Sequence, residues 1–168
     1  MYGYGAYGSG NDPTFNVHRL SLLDRGFAFA LTHVRGGDEL GWRWYREGKL
    51  EHKENSFTDF IAIAEHLIAE RWTAAGNIAI RGGSAGGLLV GAVLNMRPEL
   101  WRCAIADVPF VDIVNTMSDP SLPLTPIEWP EWGNPLEDAT ALARLLGYSP
   151  YDNVRAQAYP AMFVTAGI

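Results

Sequence analysis

The chain has 168 residues, enough for one domain with a core of its own, and a hydrophobic share of 48% that sets it apart from disordered chains. A net charge of -6 with no basic run argues against nucleic acid as a partner. No apolar run reaches the length of a membrane span, and no charged-then-apolar segment opens the chain as a signal peptide would.

Residues 1–10 read MYGYGAYGSG. Alternating tyrosine and glycine suits a strand end running into a loop where backbone approaches something closely. A flexible aromatic tail fits the same letters, and both readings stay open here. Asn11-Asp12-Pro13 signals a turn. Residues 17–23 have the make-up of a short helix. Residues 26–34, GFAFALTHV, form an apolar run rich in β-formers and read as a buried strand. Residues 39–49 mix Trp42, Trp44 and Tyr45 with charges and fit no regular element.

A helix is expected from Ser56, because Phe57, Phe60, Ile61, Ala64, Leu67 and Ile68 recur at helical spacing. Asn55 or Ser56 suits its N-cap. Residues 77–89, NIAIRGGSAGGLL, organise the rest of the chain. An apolar strand meets a glycine-rich turn, and a helix of small residues follows. This is the G-x-S-x-G nucleophile elbow, which holds Ser84 in strained backbone and exposes its hydroxyl. The glycines flanking it leave room that a Cβ would fill. The following helix aims its N-terminal N–H groups where an oxyanion would form. An ordinary serine in a glycine-rich turn is the plainer reading, and the strand before and helix after weigh against it.

Pro98 ends that helix. Residues 101–108 form a further strand, which carries the single cysteine, Cys103. One cysteine excludes a disulfide within these residues, fits a reducing compartment and suits a small buried side chain. Residues 109–135 are rich in Pro, Trp and Asp with little period and read as a long ordered loop. Residues 136–146 suit a short helix and residues 161–166 a last strand, followed by Gly167-Ile168. The order strand, helix, strand, helix, strand is that of an α/β protein with a parallel sheet covered on both faces. The histidines lack metal-ligand spacing, so no metal site and no cofactor are expected.

Six blocks in order carry a family resemblance: YGYGAYG at residues 2–8, LSLLDRGF at 20–27, HVRGG and ELG between 33 and 41, RGGSAGGLL at 81–89, EWPEWGNP at 128–135, and SPYDNV at 149–154. Together they resemble the peptidase domain of the prolyl oligopeptidase family, and within it the oligopeptidase B group. The resemblance implies an α/β-hydrolase fold, normally preceded by a β-propeller, and serine-peptidase action on short peptides after Lys or Arg. It implies Ser84 as nucleophile, with the backbone N–H of Ala85 and the phenol of Tyr4 as oxyanion donors. It places Glu128 in the pocket for the basic side chain, where a carboxylate can bond a guanidinium through two parallel contacts. Where the group has a second acid two residues on, this chain has Pro130. Asp12 falls near the acidic contacts for the preceding substrate residue, with Thr14 in place of a second acid. Without the resemblance, Glu128 and Asp12 read as solvated loop acids. Arg35 reads as structural.

The hydrolase order is Ser, then Asp or Glu, then His. His18, His33, His52 and His66 all precede Ser84. The resemblance puts the acid a few residues beyond Thr165-Ala166-Gly167, so Asp107, which ends a strand, reads as structural. The lead-in strand before residue 2 is also missing, leaving a break between residues 26–34 and 77–81. Unmet backbone groups there cost about 1–3 kcal/mol each against a total of roughly 5–15. The expectation is a cytoplasmic fragment of a larger peptidase, residues 1–168 being part of its hydrolase domain. Its propeller and the rest of its catalytic domain lie outside, and it is nearly inactive without them. An esterase or aminopeptidase on the same fold is one alternative, and a non-catalytic remnant that binds partners through sheet edges is another.

Overall fold

A computed structural model describes residues 1–167. Ile168, expected to follow the last strand, lies outside them. At the centre is a parallel sheet in which β1 (Ile78–Gly83), β2 (Trp101–Asp107) and β3 (Ala161–Thr165) run side by side in chain order. Gly83 pairs with Asp107 and Asp107 with Thr165, so the three strands finish level with one another. All three match the expected strands to within two residues.

Ile78, Ile80 and Gly82 alternate with less buried neighbours along β1, the period-two pattern of a strand. The buried face meets α3 (Glu54–Ala69) and α4 (Ala85–Met96). Phe57, Phe60 and Ala64 of α3 pack with Leu88, Leu89 and Val93 of α4 and with Trp101 in one core. The α4 helix is apolar nearly all round because β1 and β2 lie beneath it and α3 beside it.

The N-caps named for α3 are corrected. The helix begins at Glu54 with Lys53 in the cap position and no side-chain cap bond. Ser56 sends its hydroxyl instead to the carbonyls of Arg35, at 2.5 Å, and Gly5, at 3.2 Å. The Asn55 amide donates to Glu47 O at 2.8 Å.

Residues 26–34 do not form the buried strand expected of them. Phe27 is 53% exposed, and regular pairing is confined to one bridge at Leu31. Tyr2 makes that bridge, and it also bridges Arg81 of β1. The break expected there is thus closed over a few residues. Arg81 N–H donates to Met1 O and Gly3 N–H to Arg81 O, while Tyr2 N–H donates to Ala30 O and Thr32 N–H to Tyr2 O. Among the described residues only this short stretch pairs with residues 26–34, and the apolar run before Ala30 joins no ladder there.

The remaining segments carry short helices. Residues 17–23 form α1 (Val17–Leu23), capped by the Asn16 side chain on His18 N–H, and the unassigned aromatic stretch contains α2 (Trp42–Arg46). Residues 109–135, read as irregular, hold α5 (Ile113–Met117) and α6 (Thr125–Trp132). These are too brief to show helical periodicity. The helix expected at 136–146 is α7 (Ala139–Tyr148), started by Asp138, whose carboxylate caps Thr140 N–H at 2.8 Å. Cys103 is only half-buried.

Candidate active site

Ser84 stands between β1 and α4 with φ +53° and ψ −118°. A serine has a Cβ that resists this region, so the conformation stores about 1–3 kcal/mol and needs its surroundings to enforce it. Those surroundings are backbone. Ser84 N–H donates to Asp107 O at 2.9 Å, and Ser84 O accepts from Gly87, Leu88 and Phe110 N–H at 2.9–3.2 Å. A Cβ on Gly82 would strike the Gly86 carbonyl, and one on Gly86 would come within 2.6 Å of Gly3 O. The turn closes only because both are glycine. Ser84 is exposed, as an elbow requires.

The N–H of Ala85 is the first of α4 and belongs to the turn that a helix cannot satisfy internally. Across from it, the Tyr4 loop reaches the elbow, since Gly86 lies against Gly3 O and the Tyr4 ring. The Tyr4 side chain thus lies on the same turn that carries Ser84. Burial pushes that phenol above its ordinary value; the Ser84 contact opposes the rise, and the charges of Tyr2, Glu128 and Glu131 add to it. Tyr4 therefore stays a protonated donor across the physiological range. Ser84, Ala85 and Tyr4 are thus brought together.

Glu128 is half-buried on α6. Its carboxylate accepts from Trp132 Nε1 at 3.2 Å, and the Tyr7 hydroxyl accepts from the same indole N–H at 3.2 Å. Burial drives the Tyr7 phenol strongly upward, as do the Glu128 charge and a hydrogen bond to that carboxylate. The Tyr4 and Tyr7 rings are neighbours, tilted by 44° with centres 6.3 Å apart. The loop that brings a phenol to Ser84 thus also reaches Glu128, so serine, phenol and acid share one neighbourhood. Asp12 does not join it among the described residues. It is exposed at the Asn11-Asp12-Pro13 turn, where its carbonyl accepts from Thr14 N–H.

Glu131, one turn from Glu128, was not singled out in the sequence. It is buried, accepts Tyr7 N–H at 2.9 Å and accepts the Tyr45 hydroxyl at 2.7 Å. Lys53, also missed, is buried under the same loop. Arg35 is structural, its guanidinium bonding both oxygens of Asp59 at 2.6 and 2.8 Å. Asp107 is held by Arg81 at 2.8 Å and Thr165 Oγ1 at 3.2 Å, which ties the three strand ends together. Among the described residues none of the four histidines bonds Ser84; His33 Nε2 lies 2.9 Å from Asn11 O, and His52 lies beside Glu51. No cluster of three or more metal-ligating side chains occurs among the described residues.

A parallel α/β sheet with a strained serine at the level ends of its strands defines part of an α/β-hydrolase domain. Residues 13–168 match the model of the prolyl oligopeptidase family, and the chain belongs to that family. Over 168 residues it is 54% identical to Protease 2 of Moraxella lacunata and 53% identical to Dipeptidyl aminopeptidase BI of Pseudoxanthomonas mexicana. It covers all of this chain in both cases, and 24% and 23% of those proteins. The structure of oligopeptidase B from Leishmania major superposes with a TM-score of 0.94 at 54% identity, over 97% of this chain and 23% of that one. Oligopeptidase B from Trypanosoma brucei, bound covalently to antipain, gives the same score and coverage. The chain thus spans about a quarter of the length of the relatives it matches. No helix among the described residues is long and apolar enough to cross a membrane.

Proposed function

We propose that Ser84 is the nucleophile of a peptidase that cleaves short peptides after Arg or Lys through an acyl-enzyme. The observation that carries this is the exposed serine at φ +53° in a glycine-built turn against which the Tyr4 loop packs. Attack by Ser84 Oγ on a peptide carbonyl creates an oxyanion. Ala85 N–H and the Tyr4 hydroxyl are the two donors for it. Glu128, already held by Trp132, is the acceptor for the basic side chain.

A serine hydroxyl needs a base to become a nucleophile, and no histidine follows Ser84 in residues 85–168. The base and its acid therefore come from outside these residues. Thr165 ends β3 level with Asp107 and Gly83, at the same end of the sheet as the elbow, which supports an acid in the residues that follow β3. Residues 1–168 by themselves retain only the small rate that an oxyanion hole supplies.

The test uses the full open reading frame that contains residues 1–168. Hydrolysis of a blocked arginyl p-nitroanilide, with labelling of Ser84 by a fluorophosphonate probe, is the expected outcome. Cleavage of a prolyl substrate in preference to the arginyl one defeats the specificity. Rapid labelling of residues 1–168 alone defeats the incompleteness. The identity to a dipeptidyl aminopeptidase favours a second reading, release of dipeptides from a free N-terminus. Blocking the substrate's amino group separates the two, since it stops only the aminopeptidase.

A further inference from the structure

Lys53 is 2% exposed, yet nothing in the reaction above uses it. Its ammonium donates to the carbonyl of Gly5 and, at 3.3 Å, to that of Gly48. Its remaining faces meet aromatic rings, Trp132 at 4.9 Å and Phe57 at 6.0 Å. The three protons are therefore spent on two oxygens and a π-face. The Gly5 carbonyl lies one residue after Tyr4. Two residues further on, Tyr7 N–H is held by the buried carboxylate of Glu131, whose charge favours the ammonium.

Placing an ammonium here is costly: burial lowers its pKa to about 8, with Glu131 opposing the fall. The Ser56 hydroxyl already reaches Gly5 O at 3.2 Å, so the carbonyl had a neutral donor without the lysine. A charged donor forms a stronger and more directional bond than a hydroxyl shared among three carbonyls. The extra restraint falls on the loop carrying the phenol.

We propose that Lys53 is a positioning residue for the oxyanion site, clamping Gly5 from beneath while Glu131 clamps Tyr7, so that the Tyr4 phenol is fixed against Ser84. This rests on the peptidase reading above. Lysine at this place does not touch substrate and acts through Tyr4.

The experiment is a double-mutant cycle in the full open reading frame, with a blocked arginyl p-nitroanilide as substrate. Lys53→Met lowers kcat by about 10-fold and changes KM by less than about 3-fold, the signature of support lost in the transition state. In a Tyr4→Phe background the same substitution lowers kcat by less than about 2-fold, because the group it positions is already gone. Equal factors in both backgrounds overturn the clamp, as does wild-type kcat in folded Lys53→Met. Should Lys53→Met fail to fold, Glu131→Gln takes its place in the cycle, with the same non-additivity expected. An unmutated protein that neither cleaves the substrate nor labels at Ser84 overturns the peptidase reading and this role with it; an active one with additive variants overturns the clamp alone.

Discussion

Ser84 keeps its unusual backbone because four hydrogen bonds hold it, and Tyr4 meets it because glycine lets two loops touch. Removing the phenol hydroxyl leaves the loop in place and deletes one of the two proposed oxyanion donors. Tyr4→Phe in the full open reading frame therefore lowers kcat by about 100-fold with KM little altered, as steady-state kinetics will show. Glu128→Gln removes the charge proposed to face a substrate guanidinium while a side-chain oxygen can still accept from Trp132. It reduces kcat/KM for an arginyl substrate by about 10–100-fold and leaves a neutral one nearly unchanged. Lys53 also marks the stability of the fold. Its folded pKa of about 8 lies below the ordinary 10.5, so the buried ammonium is penalised wherever both states are protonated. That penalty fades as pH rises from about 8 towards 10.5 and the folded state sheds its proton first. The urea midpoint should rise over this window relative to Lys53→Met, which lacks the group; parallel curves for the two would refute it.

Among the elements, the β1–α4 elbow is the least tolerant of change. Gly86→Ala drives a methyl to within 2.6 Å of Gly3 O, and backbone at both sides leaves little room to yield. A loss of about 1–3 kcal/mol is expected, read as a lowered thermal midpoint, with Gly147→Ala as a control in open space. The elbow was legible from sequence because its constraints are local: five residues dictate the turn, and their neighbours supply strand and helix. The Tyr4 loop was readable only through resemblance, since nothing in YGYG says which serine it meets. Residues 26–34 misled because an apolar run shows what a segment prefers and not whether a partner lies beside it. Ser56 looked like a cap, but its hydroxyl is claimed by carbonyls from residues 5 and 35. Lys53 and Glu131 were invisible for the same reason. A charged residue reads as solvated until the fold gathers distant carbonyls and amides around it.

For the molecule as a whole, the strand order leaves one side of β3 without a partner strand among the described residues. Met162, Phe163 and Val164 there are 58%, 64% and 54% exposed. An exposed apolar edge of this kind invites pairing with other chains. Residues 1–168 expressed by themselves are expected to associate with rising concentration in light scattering, while Phe163→Lys suppresses the effect. The elbow lies at the opposite pole of behaviour. Ser84 N–H is bound to Asp107 O, and Phe110 N–H returns to Ser84 O, so the serine is stitched on both sides to the chain that leaves β2. A door hung this way cannot swing on its own frame. On the proposed reading, access to Ser84 is governed by other parts of the protein, while the serine backbone stays where the sheet has fastened it.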